Sequence, residues 1–191
     1  MLRAAHLVDL PTLRALIREG ALTGSFEREL ATESREATKF FGSLRQALAS
    51  GYFVEADPRT GDPATFAVLA YVYVPDQEPT VHHPIGFGIF KAGPIGYELW
   101  LTGIDAAWHG RGHGRRMLSA LFDTSPGRKA YLVPVKNSAS KSPAMAHLLA
   151  SFGYTPVRES LKLTWYLRRD APEALRAAYA GTPPVESRTP G

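Results

Sequence analysis

Residues 98–116 read ELWLTGIDAAWHGRGHGRR, an apolar run that passes into a turn with glycine at every second position. The apolar run predicts a buried strand, and the apolar residues within 117–122 recur at helical spacing. Glycines at 110, 112 and 114 let successive backbone N–H groups face one point, where the N-terminus of the following helix adds partial positive charge. This strand, turn and helix therefore predict a site that binds a phosphate group.

Two common phosphate-binding motifs do not fit these glycines. A P-loop needs Lys-Ser or Lys-Thr directly after its last glycine, and neither follows Gly114. A dinucleotide fingerprint needs its third glycine one residue later and an acidic residue at the end of the next strand. That predicted strand is Tyr131–Val135, and Lys136 follows it. The sequence therefore favours neither motif.

Hydrophobic spacing predicts the elements on either side of the glycine turn. Leu2–Ala5 is a predicted strand, Asp9 is a candidate cap for a helix that ends at Gly20, and residues 25–50 form a second helical region. Later strands are predicted at Tyr52–Ala56, Thr65–Val74, Ile85–Phe90, Tyr97–Ile104, Tyr131–Val135 and Leu161–Leu167, with a helix from Ser142 to Gly153 between the last two. The order predicts a mixed sheet covered by helices.

Composition limits the class of protein. The chain has 191 residues, of which 45% are hydrophobic, and this predicts one domain over residues 1–170 followed by a short helix and a flexible Pro/Gly-rich tail over 171–191. The lack of cysteine excludes disulfides, thiolate metal sites and a cysteine nucleophile. Neither a targeting segment nor an apolar stretch long enough to span a bilayer is visible, so we expect a cytoplasmic protein without a membrane partner. A net charge of +4 is too small to indicate a nucleic-acid partner.

The glycine turn resembles the acyl-CoA motif of the GNAT N-acetyltransferase superfamily, Gln/Arg-x-x-Gly-x-Gly/Ala. Here the motif runs from His109 to Gly114, with His109 in place of Gln or Arg, and Gly153-Tyr154 resembles the Gly-Phe pair that ends a later helix of the family. The resemblance spans roughly residues 1–168. It implies an α/β (α+β) fold with a mixed, mostly antiparallel central sheet of about six to seven strands and about four flanking helices.

The resemblance also implies a role for each part of the stretch. The strand before the turn separates from its neighbour, its backbone binds pantetheine, and the N–H of Ile104 polarises the thioester carbonyl. Backbone N–H groups of the turn hold the pyrophosphate, and Arg111 or Arg115 reaches the phosphates. The implied cofactor-binding set is Thr102, Gly103, Ile104, His109, Gly110, Arg111, Gly112, His113, Gly114 and Arg115.

The implied reaction is transfer of an acetyl group from acetyl-CoA to a primary amine on a small molecule, a peptide N-terminus or a lysine. Direct transfer is expected, since the chain has no cysteine to carry the acyl group. Glu98 is the candidate general base. The tyrosine that many family members use as the acid corresponds to Leu149, which leaves Tyr154, Tyr131 and His147 as alternatives.

Several readings stay open at this stage. A CoA-binding sensor or interaction domain without turnover agrees with Leu149, and an aminoacyl-tRNA acetyltransferase agrees with the basic charge but lacks a basic run. The glutamates of residues 27–36 either attract a cationic amine or form a solvated helix face. His109 and His113 lack the glutamate of a His-Glu-x-x-His motif, so no metal site is predicted. Many members of the superfamily are dimers, so a homodimer is also consistent with the resemblance.

Overall fold

The computed structural model describes residues 1–56, 62–76, 83–137 and 142–180. Eight strands within these residues form one sheet. The strands are β1 (Leu2–Ala4), β2 (Tyr52–Ala56), β3 (Pro63–Tyr73), β4 (Gly86–Ala92), β5 (Tyr97–Ile104), β6 (Ala130–Lys136), β7 (Tyr154–Glu159) and β8 (Leu163–Arg168). The helices are α1 (Leu10–Leu22), α2 (Arg35–Ser50), α3 (His113–Asp123), α4 (Ser125–Arg128), α5 (Ser142–Ser151) and α6 (Glu173–Ala180).

The sheet has the order β1-β3-β4-β5-β6-β8-β7, and β2 pairs with β3 as well. Every neighbouring pair is antiparallel except β5 and β6, which are parallel. The predicted fold class, a mixed and mostly antiparallel sheet flanked by helices, is confirmed. The parallel pair arises because α3 and α4 carry the chain back across one face of the sheet between β5 and β6, which gives both strands the same direction.

Strand β7 is missing from the sequence-based order. It contains Pro156, and several of its side chains are exposed, so its sequence lacks the alternation typical of a half-buried strand. Such a strand is tolerated at the edge of a sheet, where proline need not donate to a second neighbour.

The predicted start of the last strand, at Leu161, was wrong. Leu161 is 97% exposed and precedes β8, which begins at Leu163.

The second helical region is not continuous. A short 3-10 turn covers Arg28–Ala31, and α2 begins only at Arg35, where the Ser34 side chain accepts a hydrogen bond from the Ala37 N–H.

Asp9 does not cap α1 through its side chain, although the sequence suggested it as a cap. Its carboxylate is buried and accepts two hydrogen bonds of 2.7 Å from Arg3 on β1.

Helices cover both faces of the sheet. On one face, α1 and α2 pack over a core that includes Leu13, Ile17, Leu44 and Phe87. On the other face, α3 and α5 bury Phe90, Leu99, Leu118, Leu121, Leu149 and Tyr154. Helix α6 packs Leu175 and Tyr179 against Leu132, Leu167 and Ala171. None of the helices in the described ranges is long and apolar enough to cross a bilayer.

Candidate functional site: the cleft between β5 and β6

Strands β5 and β6 pair only at their beginnings. Tyr97 pairs with Ala130 and Glu98 pairs with Leu132, and there the pairing between these two strands ends. Strand β6 continues to Lys136, paired with β8, while β5 continues to Ile104, paired with β4. The two strands therefore part after Glu98 and leave a cleft in the middle of the sheet.

The backbone at the end of β5 faces this cleft. The N–H of Asp105 donates to the Ile85 carbonyl at 2.8 Å, so the backbone of Asp105 is bonded on the β4 side. Successive residues of a strand direct their N–H and C=O groups to opposite sides. The backbone groups of Thr102 and Ile104 therefore point away from β4. They are turned toward the place where β6 would otherwise pair.

A bulge interrupts β5 midway along the cleft. Leu99 pairs with Phe90 and Leu101 pairs with Ile89, so Trp100 is an extra residue in β5. The Trp100 ring packs edge to face on Phe53 with 5.1 Å between ring centroids. The bulge bends β5 close to Glu98, where the strands separate.

The cleft opens into a cavity of about 890 Å³, within the usual range for small-molecule sites. One wall is formed by α1 and the segment between α1 and α2, the other by α3, α5 and the free half of β6. All described residues from Glu98 to Ile104 line it. From the predicted turn, His109, Gly110, Gly112, His113 and Gly114 also line it.

The glycine turn has the backbone that the sequence predicts. Gly110 and Gly112 have φ values of +75° and +77°, in the left-handed region that glycine adopts without strain. Gly112 is the N-cap of α3, and it has no side chain to accept a hydrogen bond from the first helical N–H groups. The N–H groups of Gly114 and Arg115 lie in that first turn, which has no intrahelical acceptors. An anion is a suitable partner for them.

One predicted pyrophosphate donor is already engaged. The backbone N–H of His109 donates to the Ala106 carbonyl at 3.1 Å within a short 3-10 turn, so it is not directed at a ligand. The His109 side chain instead contacts the backbone of β5, with 2.9 Å between Nε2 and the Ile104 oxygen. Gly110 to Arg115 therefore remain as the candidate anion-binding segment.

The two arginines of this segment and Arg116, which follows it, have different surroundings. Arg116 donates to the Arg111 carbonyl at 3.0 Å and lies 3.3 Å from His113 Nδ1, so it braces the turn. The Arg111 guanidinium lies over the Trp108 ring, 5.2 Å from its centroid. Arg115 is exposed on the first turn of α3. The last two are therefore the arginines best placed to meet a ligand phosphate.

Glu98 and Ile104, the two predicted catalytic groups, lie at opposite ends of the cleft. Six strand positions separate them, which corresponds to roughly 20 Å at about 3.3 Å per residue. Ile104 is instead adjacent to the glycine turn through its contact with His109. The role of Ile104 in polarising the thioester stays a prediction.

The charges around the cavity are segregated. Glu27, Glu29, Glu36 and Glu98 line it on the side of α2, the segment before it and the start of β5, whereas Glu19 of α1 lies at the other end, where it accepts a hydrogen bond from the Ala106 N–H at 3.1 Å. Arg111 and Arg115 lie at the glycine turn, beyond the other end of β5. Lys136 is a cation on the acidic side, where its Nζ donates to the Phe26 carbonyl at 2.7 Å and lies 3.3 Å from Glu27. Sequence spacing gave no signal for this bridge, which joins β6 to the segment after α1.

The alternative general acids lie away from the cavity. Tyr154 is buried and donates to the Ala130 carbonyl, and burial raises the pKa of its hydroxyl far above the ordinary value. Tyr131 lies under the Arg168 guanidinium, and His147 is exposed on α5. Leu149 is fully buried in the core. No tyrosine lines the cavity among the residues that the structure describes.

The described ranges contain no group of three or more His, Asp or Glu side chains that could together hold a metal ion. His109 contacts a backbone carbonyl, and His113 is buried with its Nδ1 3.4 Å from the Tyr73 hydroxyl. The polar groups that line the described cavity include backbone amides, carboxylates, these imidazoles, the Lys136 ammonium and the hydroxyls of Thr23, Ser25 and Thr102.

Comparisons with known proteins identify the fold. No family model and no curated protein matches the chain. Among solved structures, the yncA acetyltransferase of Salmonella typhimurium with its cofactor acetyl-CoA has a TM-score of 0.56 and 20% identity over 91% of this chain and 98% of that one. The PaiA N-acetyltransferase of Thermoplasma acidophilum in complex with coenzyme A has a TM-score of 0.57 and 14% identity over 88% and 97%.

A GNAT-family acetyltransferase structure from Desulfovibrio desulfuricans has a TM-score of 0.53 and 13% identity over 87% of this chain and 96% of that one. These likenesses span nearly the whole of each solved chain. The chain therefore has the GNAT N-acetyltransferase fold, and the resemblance that the glycine turn indicated is confirmed at the level of the fold.

Proposed function

We propose that this chain, with its GNAT N-acetyltransferase fold, transfers an acetyl group from acetyl-CoA to a primary amine by direct transfer. The observation that carries the proposal is the parting of β5 from β6 directly beside a positive-φ glycine turn that opens a helix. One end of the cleft suits a pyrophosphate, and its wall is an unpaired strand edge. Such an edge suits a ligand with amide groups along an extended arm.

The residues of the cleft fit an acyl-CoA. Space is open where a side chain at Gly110 would project, so a phosphate can approach the backbone there. The candidate phosphate-binding residues are Gly110, Arg111, Gly112, His113, Gly114 and Arg115, and the arm would lie along Thr102, Gly103 and Ile104. Bound acetyl-CoA supplies an activated thioester. With Glu98 as the base, we place the reacting carbonyl near the Trp100 bulge, between Thr102 and Glu98, because Ile104 lies roughly 20 Å along the strand from Glu98 at about 3.3 Å per residue.

Glu98 is the proposed general base. It lines the cavity at the point where the strands separate, and its carboxylate is close enough to Tyr179 of α6 to raise the pKa of that phenol, after the larger effect of burial. An incoming ammonium must lose a proton before it can attack, and a carboxylate beside it can accept that proton directly or through water. The departing thiolate takes up a proton from the amine or from water, because no tyrosine lines the described cavity.

The acidic side of the cavity is the proposed acceptor entrance. Glu27, Glu29 and Glu36 line that side, and the Phe26 and Phe40 rings supply apolar walls. Carboxylates attract an ammonium group, whereas the arginines of the glycine turn attract phosphate. The segregated charges therefore favour opposite ends for the amine and for the CoA. The acceptor class remains a small amine, a peptide N-terminus or a lysine.

A second candidate is a CoA-binding sensor or interaction domain without turnover. It is favoured by Leu149, which is fully buried at the position of the usual acid, and by the lack of a tyrosine in the described cavity. The two candidates share the binding site and differ in catalysis. Release of free CoA thiol in the presence of amines distinguishes them.

Thermal unfolding with and without acetyl-CoA tests the proposal first, with NAD and ATP as controls. Ligand at about 100 times its dissociation constant stabilises a folded chain by about 2.7 kcal/mol, which corresponds to a rise in Tm of a few degrees. We expect a larger rise with acetyl-CoA than with either control, because the controls lack the extended arm that lies along β5. No rise with acetyl-CoA, or an equal rise with ATP, would contradict a CoA site in the cleft.

A further inference from the structure

The His109 side chain connects the glycine turn to the end of β5. Its Nε2 lies 2.9 Å from the Ile104 carbonyl oxygen. A carbonyl can only accept a hydrogen bond, so the ring must carry a hydrogen on Nε2 for this contact to form. The contact spans the five-residue step from the last residue of β5 to the first residue of the acyl-CoA-like motif.

Three further hydrogen bonds fix the residues between these two positions. The Asp105 N–H donates to Ile85 of the chain segment leading into β4, and the Asp105 carboxylate accepts from the Ala107 N–H at 2.8 Å. The Ala106 N–H donates to the Glu19 carboxylate of α1 at 3.1 Å. These bonds hold the first half of the turn on β4 and α1. The His109 imidazole supplies the bond that ties the far end of the turn back to β5.

We propose that His109 is a positioning residue that sets the register between the phosphate-binding turn and the cleft-facing backbone of β5. This inference rests on the proposed function. A ligand with a phosphate on the turn and an extended arm along β5 must fit both subsites at once, so their spacing decides how well it binds. A ligand that has only the phosphate group is indifferent to that spacing.

The side chain, rather than the backbone, carries this role. The His109 N–H is already bonded to Ala106, and an alanine at 109 would keep that bond. The positive-φ glycines and the start of α3 lie beyond residue 109 and need no imidazole. Removing the ring therefore spares the phosphate subsite and releases the Ile104 carbonyl to water.

Calorimetric titration of two ligands tests the inference on the whole chain. CoA has both the pyrophosphate and the arm, whereas ADP has the pyrophosphate alone. We expect His109→Ala to weaken CoA binding about tenfold, the order of effect of one lost hydrogen bond together with misalignment, and to change ADP binding less than twofold. His109→Gln places an amide N–H at a similar reach and should bind CoA within about twofold of the wild type.

The matched control is His147→Ala, which removes an exposed histidine from α5 outside the cavity. It should leave both affinities unchanged. Equal weakening of CoA and ADP by His109→Ala would overturn the proposal, because it would show a general loosening of the turn. Unchanged CoA binding would overturn it as well. A wild-type chain that binds no CoA would overturn the proposed function itself, which is a different result.

A second readout needs no ligand. In ¹⁵N NMR spectra of the wild-type chain, we expect the neutral His109 ring to carry its hydrogen on Nε2. We also expect faster amide hydrogen exchange at Asp105 in His109→Ala, because the strand end is then held from one side only. A ring protonated on Nδ1 alone, or unchanged exchange at Asp105 in the variant, would show that the contact does not fix the end of β5.

Discussion

At the scale of single residues, Glu98 has the most consequential position. It belongs to the last residue pair that joins β5 to β6, and its side chain lines the cavity where the strands part. A carboxylate at this point can serve an amine that enters from the acidic side of the cleft. Its position follows from strand pairing, whereas its proposed role as a base follows from the chemistry of amine attack.

Replacement of that carboxylate by an amide provides the test. We expect Glu98→Gln to lower kcat by about 100-fold, the lower range for loss of a general base, while CoA binding changes little. Steady-state kinetics with a thiol-release assay measures the loss. Glu159→Gln, on the exposed edge of β7, is the matched control. An unchanged kcat in Glu98→Gln would show that Glu98 is not the general base.

Asp9 shows a different residue-scale effect, on stability. Its buried carboxylate is paired with Arg3, and the hydrogen bond from that guanidinium holds the pKa of Asp9 below its ordinary value of 3.8. A group with a lowered folded-state pKa stabilises the fold above its unfolded pKa, and this stabilisation is lost as pH falls through the folded-state pKa. The loss therefore belongs to the window below about pH 4.

Asp9→Asn should lower the free energy of unfolding at pH 7 by about 2 kcal/mol, since it removes the charge of a buried carboxylate that accepts two hydrogen bonds from the partly exposed Arg3. The difference between wild type and variant should shrink as the pH falls below about 4, where the wild-type carboxyl takes up its proton. Urea unfolding at several pH values measures this. A difference that stays constant down to pH 2 would contradict the pairing.

At the scale of elements, the glycine turn combines two requirements in one short segment. It must pass from β5 into α3, and it must leave the first N–H groups of α3 accessible. The positive φ of Gly112 meets the first requirement, and the lack of a capping side chain at Gly112 meets the second. The spacing of the glycines in the sequence therefore reflects backbone geometry.

Two alanine variants test the first requirement, the left-handed backbone of Gly112. Gly112→Ala should destabilise the chain by about 1 kcal/mol, because an L side chain is strained at a φ of +77° and its Cβ would lie 3.4 Å from Arg116. Gly114→Ala should leave stability unchanged or slightly raised, since its backbone is helical and its Cβ would meet Leu148 at an ordinary 3.9 Å. Denaturant unfolding compares them, and equal losses in both would contradict the left-handed cap.

At the scale of the whole molecule, three apolar clusters support the sheet, two large and one small. The α1–α2 side and the α3–α5 side each have a continuous apolar core, and α6 adds a smaller cluster over β6 and β8. Tyr179 of this helix lies within electrostatic range of Glu98. Helix α6 therefore supports the part of the sheet where the cleft begins.

This support can be weakened by one truncation. Leu175→Ala should lower the free energy of unfolding by about 1–2 kcal/mol, less than for a fully buried leucine because the side chain is only half-buried. Thermal and urea unfolding measure the loss, with Leu161→Ala as the control at a 97% exposed leucine. Equal stability of both variants would show that α6 contributes nothing to the sheet.

The sequence alone determined the features that depend on neighbours along the chain. The glycine spacing predicted the turn and the start of α3, and the hydrophobic periods predicted most strands and helices in the right order. The resemblance of the turn to the acyl-CoA motif, together with this order, implied the GNAT-like fold. Short-range signals succeed here because a positive φ, a helix start and an apolar period each involve only a few consecutive residues.

The tertiary structure decided what depends on residues far apart in the chain. It ended the β5–β6 pairing at Glu98 and made β7 an edge strand despite Pro156. It also joined Lys136 of β6 to the Phe26 carbonyl and to Glu27, in the segment after α1. These outcomes depend on which strands and side chains meet across the sheet, and local spacing does not encode that register.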